Sequence, residues 1–93
     1  MINHSRSSEE TLVEYPCEFP IKVMGETSDA FAVTVLELIR QHAPEFDTTK
    51  IDMRASSGGK YLSLTCRIYV TSKPQLDAIY IALTSHPMIK VVL

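Results

Sequence analysis

The spacing of apolar positions changes from segment to segment along this chain, and each change marks an element. Phe19, Ile21 and Val23 alternate with Pro20, Lys22 and Met24, a period of two that predicts a short strand ended by Gly25. Ser28 or Asp29 then caps a helix expected over residues 29–43, with Asp29 complementing its N-terminal dipole. Phe31, Val35, Leu38 and His42 share one face of that helix, Ala32 and Ile39 flank it, and Pro44 stops it. The period of two returns over residues 48–56, with Ile51, Met53 and Ala55 on one face and Asp52, Arg54 and Ser56 on the other. "SSGGK" reads as a hairpin loop, because Gly58 and Gly59 can take positive φ without strain. In the strand that follows, Leu62, Leu64, Cys66, Ile68 and Val70 face one way, while Tyr61, Ser63, Thr65, Arg67 and Tyr69 face the other. Thr71 or Ser72 caps a second helix with Pro74 in its first turn and a stripe of Leu76, Ile79, Tyr80 and Leu83. His86 and Pro87 close it, and "MIKVVL" is a last strand.

The order is β-α-β-β-α-β. Two right-handed βαβ halves in this order make an α+β, ferredoxin-like sandwich. The expected sheet has four antiparallel strands in the order 4-1-3-2, both helices on one face and the other face open. Residues 1–14, rich in Ser and Glu, read as a flexible lead-in, and residues 15–93 as one domain.

Composition narrows the function classes without choosing among them. A chain of 93 residues holds one core. Its net charge of −2 gives no general attraction to nucleic acid or membranes, and no apolar run approaches the roughly 20 residues that cross a bilayer. The first sixteen residues lack the apolar stretch of a secretory signal, so a cytoplasmic location is expected. Cys17 and Cys66 have no metal-ligand spacing and are expected as reduced thiols, Cys66 in the core and Cys17 more accessible. Neither a metal nor a cofactor is expected.

The stretches "YPCEFPIKVMG", "RQHAP", "SSGGKYLSLTCRIYV" and the ending "KVVL" occur in this order over residues 15–93, and together they resemble the YbeD-like family of small bacterial proteins. The resemblance implies a fold similar to the ACT domains that regulate enzymes of amino-acid metabolism. Some members are labelled lipoate-regulatory proteins. It implies a cytosolic regulatory or interaction module and supplies no catalytic residues.

The residues themselves offer three kinds of surface. Acylphosphatases share the topology, but need an arginine near the start of the first helix; here Ala30, Phe31 and Ala32 stand there, and Glu26 and Asp29 would repel an acyl phosphate. His4, His42 and His86 form no triad, so no enzyme is expected. A nucleic-acid reader would use the open sheet face, which is expected to carry Lys22, Arg54, Tyr61, Arg67, Tyr69 and Lys90 against Asp52 alone. Ser63 and Thr65 stand where stacking aromatics would be needed, and a solvated or partner-covered face is favoured over a nucleic-acid reader. The last strand, through Met88, Lys90 and Val92, offers an apolar edge for self-association as a homodimer. Finally, Gly25 reads as a turn between strand and helix, with Gly25, Glu26, Ser28 and Asp29 as the alternative site for a zwitterion such as an amino acid.

Overall fold

In the computed structural model of the chain, which describes residues 14–93, the first strand is longer than its alternation suggests. β1 runs from Cys17 to Glu26, so Gly25 lies inside it rather than ending it. The expected lead-in, with His4, falls outside the described residues apart from Glu14. Then follow α1 (Asp29–Arg40), a 3-10 turn (Thr48–Lys50), β2 (Ile51–Ala55), β3 (Tyr61–Val70), α2 (Lys73–Thr84) and β4 (Ile89–Val92). The sheet order is β4-β1-β3-β2 and every neighbouring pair is antiparallel, as the ferredoxin-like reading expects.

One face of this sheet is the core. Ile21 and Val23 of β1 and Leu64, Cys66, Ile68 and Val70 of β3 are fully buried beneath Phe31, Val35 and Ile39 of α1 and Ile79 and Leu83 of α2. The buried positions of α1 recur every four residues, so Ile39 occupies the stripe and Leu38 is half-buried beside it. The helix stops at Arg40, short of His42, and the Arg40 guanidinium holds the Phe46 carbonyl oxygen (Nη2 to O 2.9 Å), closing the loop towards β2. Ser72 caps α2 by accepting from the Gln75 amide, with Pro74 in the first turn.

Two local features depend on single residues. Gly58 and Gly59, at φ 88° and 75°, turn the hairpin in a region that residues with a Cβ avoid. Pro20 sits in a central strand, where a missing N–H is usually costly. Lys22 exchanges backbone hydrogen bonds with Leu93, so the even residues of β1 face β4, and Pro20 lies just past the point where β4 ends. Its absent donor has no ladder to break.

Candidate functional site

The face away from the helices carries Glu18, Pro20, Lys22, Met24 and Glu26 of β1, in register with Tyr69, Arg67, Thr65, Ser63 and Tyr61 of β3. Asp52 and Arg54 of β2 stand opposite Thr65 and Ser63, and Val91 of β4 opposite Met24. The structure therefore brings together most of the expected face, but changes its electrostatics. Lys22, Arg54 and Arg67 are matched by Glu18, Glu26 and Asp52, so the face is balanced rather than basic. Arg67 donates to Asp52 at 2.6 Å, and the carboxylate raises the guanidinium pKa by that bond and its charge. Lys50 of the 3-10 turn holds Glu18 at 3.0 Å. Glu18 lies one residue outside the alternation that begins at Phe19, and the same phase extended by one residue reaches it.

The face is also more apolar than the strand patterns suggested. Tyr69 is 61% exposed, Leu93 63% and Val91 41%. Leu93, opposite Lys22, and Val91, opposite Met24, lie towards β4, while Asp52, Arg54 and Arg67 lie towards β2. Tyr61 and Tyr69 are in phase but eight residues apart on β3, roughly 26 Å at strand rise, and so cannot stack neighbouring bases. Lys60 lies over the Tyr61 ring, 5.5 Å from its centroid.

Lys90 stands at a break in the β4 register. Met24 pairs with Val91 and Gly25 with Ile89, which leaves Lys90 as the extra residue of a β-bulge. It lines a hollow of about 260 Å³ with Glu26, Thr27, Ser28, Pro87 and Met88. The bulge also separates the expected edge residues: Met88 precedes β4, and Met88 and Val92 both pack against the core.

Gly25 is where the turn reading fails. Its φ is not positive, and its backbone is part of the β1–β3 ladder opposite Leu62. What requires glycine is space. A Cβ there would collide with the Phe31 ring and lie 2.6 Å from the Met88 carbonyl oxygen. The loop that follows is anchored to the hairpin, because Thr27 donates through its amide to the Lys60 oxygen (2.9 Å) and through its hydroxyl to the Gly59 oxygen (2.6 Å). Ser28 stands at the N-cap of α1, but its side chain makes no capping bond. Asp29 lies in the first turn and is not among the residues lining the hollow.

A larger hollow of about 510 Å³ lies between the end of α1 and the sheet, lined by Phe46, Lys50, Arg67, Tyr69 and Gln75 among others. Several of its polar groups are already engaged: Lys50 with Glu18, Arg67 with Asp52, and Gln75 Nε2 with the His42 carbonyl at 2.8 Å. His42 contributes this carbonyl, and His86 Nδ1 accepts the Met88 amide at 3.1 Å. Cys66 is sealed in the core, where desolvation pushes its thiol pKa to about 12, and Cys17 is half-buried. Among the described residues no cluster of His, Cys, Asp and Glu is arranged to hold a metal ion, and no helix is long and apolar enough to cross a membrane.

A family profile described as "Protein of unknown function (DUF493)" matches residues 10–93. A UPF0250 protein of Ralstonia nicotianae is 58% identical over 84 residues, covering 90% of this chain and 87% of the relative. One of Nitrosomonas europaea is 50% identical over 86 residues, covering 92% and 99%. The solution structure of protein HP0495 from Helicobacter pylori superposes with a TM-score of 0.71 over 87% of this chain and 85% of that one, at 20% sequence identity. That likeness is one of fold.

Proposed function

The chain belongs to the DUF493 family of proteins of unknown function, and we propose that it is a non-catalytic, regulatory protein-interaction module that works through the open face of its sheet. The observation that carries this reading is the composition of that face. Tyr69, Val91 and Leu93 are exposed on a layer that no helix covers, with Pro20 and Met24 in the same phase. Exposed aromatic and aliphatic groups interleaved with charged ones on an uncovered sheet face are the mixture that protein interfaces use. The balance of Lys22, Arg54 and Arg67 against Glu18, Glu26 and Asp52 removes the electrostatic motive for nucleic acid.

The test is site-specific photo-crosslinking in the native cell. A crosslinking side chain at Tyr69 or Leu93 is expected to give a discrete protein adduct. The same group at Val33 or Ile81, exposed on the outer sides of the helices, serves as the control. Adducts equal in both places, or on the helices alone, would reject the open face, and capture of RNA by the sheet positions would favour the nucleic-acid reading instead.

A second reading keeps the loop after β1 as a small-molecule site, because the start of α1 is uncapped and the adjacent hollow pairs Glu26 with Lys90 on its lining. Free N–H groups at a helix start suit a carboxylate, and a wall carrying both charges suits a zwitterion such as an amino acid better than a phosphate. A thermal-shift screen of amino acids against wild type and Lys90→Glu tests it, since a ligand of the native state raises the melting temperature. No shift at millimolar concentration rejects it. Gly25→Val is unsuitable as the control, because the added methyl groups would strike Phe31 and the Met88 backbone whether or not a ligand binds.

A further inference from the structure

β2 ends the sheet, and its unpaired side can be read from the ladder. The Ser56 amide donates to the Tyr61 oxygen at 2.9 Å, so Ser56 directs its backbone groups at β3. The same phase turns Asp52 and Arg54, opposite Thr65 and Ser63, towards β3 as well. Ile51, Met53 and Ala55 therefore turn their backbone groups away from β3 along a regular stretch with no bulge and no proline, and of these groups the Ile51 N–H is already held by the Thr48 carbonyl oxygen. On the helix side this edge is also uncovered: Met53 is 60% exposed, although it stands opposite the fully buried Leu64.

We propose that β2 is a self-recognition edge: two copies of this chain pair antiparallel along it, about a two-fold axis through Met53, and merge their sheets into one. Charge complementarity selects the occupant and the register. With the axis at Met53, Ile51 faces Ala55 of the second copy and Met53 faces its own copy, so Met53 exchanges both backbone groups and the Ile51 carbonyl accepts from the Ala55 amide. Asp52 then stands opposite Arg54 of the second copy, and Arg54 opposite its Asp52, in the closer, non-hydrogen-bonded positions where Cα atoms are about 4.5 Å apart.

Neighbouring registers fail. An axis at Asp52 sets that carboxylate against itself, and one at Arg54 does the same to the guanidinium. A slip by one residue turns outward backbone groups against inward ones. Centring on Ile51 or Ala55 runs the pairing into the 3-10 turn or the hairpin loop. Arg54 has no ion pair among the described residues, and the Asp52 carboxylate engages Arg67 through Oδ2 alone. Arg54 and the second Asp52 oxygen are therefore open to a second copy. The contact adds one short strand to another, so it gives a weak, concentration-dependent dimer, and it does not depend on what the open face binds.

Sedimentation analysis up to millimolar concentration tests this, with circular dichroism as the control for folding. Arg54→Asp and Asp52→Arg each place like charges opposite one another, and each is expected to raise the dimer dissociation constant roughly tenfold or more. Mixing the two variants is expected to restore association, because every Asp then faces an Arg across the heterodimer. Should Asp52→Arg disturb Arg67 and the fold, Arg54→Asp with Met53→Pro carries the test, since both leave the Asp52–Arg67 pair in place. A wild type that stays monomeric at millimolar concentration would overturn the proposal. So would charge reversals without effect, or a mixture that fails to recover.

Discussion

The two edges of the sheet come from segments that look alike in composition, "IDMRA" and "IKVV", yet they present different surfaces. β4 is fixed from within. Its register shifts at Lys90, Ile89 and Val92 pack against the core, and Leu93 is tied to Lys22 in both directions. Between the bulge and the end of β4, Val92 is the residue that turns regular backbone groups outward. A bulge and a lysine are devices that sheet proteins use to blunt an edge. β2 has neither feature, and its outward groups continue in phase over its whole length. An apolar sequence is thus a poor guide to which edge is open; the guide is where the chain's own packing is already complete.

The largest effect is expected where β4 is seated. Gly25→Val puts branched methyl groups where even a Cβ meets the Phe31 ring and the Met88 carbonyl, and neither the backbone oxygen nor the buried ring can yield. A loss of about 3 kcal/mol or more in denaturant unfolding is expected. Near wild-type stability would show that the β1–β4 seam is looser than the comparison requires.

Proline substitution reads the phase of β2 directly. Arg54→Pro removes an N–H that is paired with β3 and is expected to cost about 2 kcal/mol. Met53→Pro removes an outward N–H, the position where edge strands accept proline, and is expected to cost less than about 1 kcal/mol while suppressing association. Equal losses would break the assignment of outward groups. Val91→Lys, on the other edge, is expected to leave association unchanged. Val92→Lys is a poorer probe, since it would strip a residue that packs on the core.

A pH-dependent effect separates the sealed centre of the sheet from both edges. Cys66 titrates near 12 in the folded chain against a reference of 9.0. Raised in the folded state, the pKa makes its contribution fully present below pH 9 and lost as pH climbs towards 12. Stability is expected to fall in that window with an added slope of about 1.4 kcal/mol per pH unit, which Cys66→Ala should remove. Thiol reagents at pH 8 are expected to modify Cys17 before Cys66, and the reverse order would contradict the burial. The smallest effect lies on the open face, where Glu18→Gln, breaking the exposed pair with Lys50, is expected to change stability by less than about 0.5 kcal/mol.

The sheet order and the core were legible in the sequence because alternation and helical period are set by burial, and burial decides this fold. Leu64, Cys66 and Ile68 needed only their spacing to be placed. The surfaces were less legible because they depend on register between strands. Glu18 joins the open face through a strand that starts two residues before Phe19, Lys90 falls at a bulge that the alternation does not announce, and Met53 is exposed because β2 ends the sheet beyond the helices. Gly25 illustrates the same limit. Its neighbours in sequence suggested a turn, whereas its neighbours in space, Phe31 and Met88, explain the missing side chain.

The most direct measurement of the asymmetry between the edges is a concentration series of amide NMR spectra of the wild-type chain. Resonances of Met53 and Ala55 are expected to shift and gain hydrogen-exchange protection as concentration rises, while those of Lys90, Val91 and Val92 stay fixed. Concentration-dependent shifts on β4 instead of β2, or on neither edge, would contradict the account.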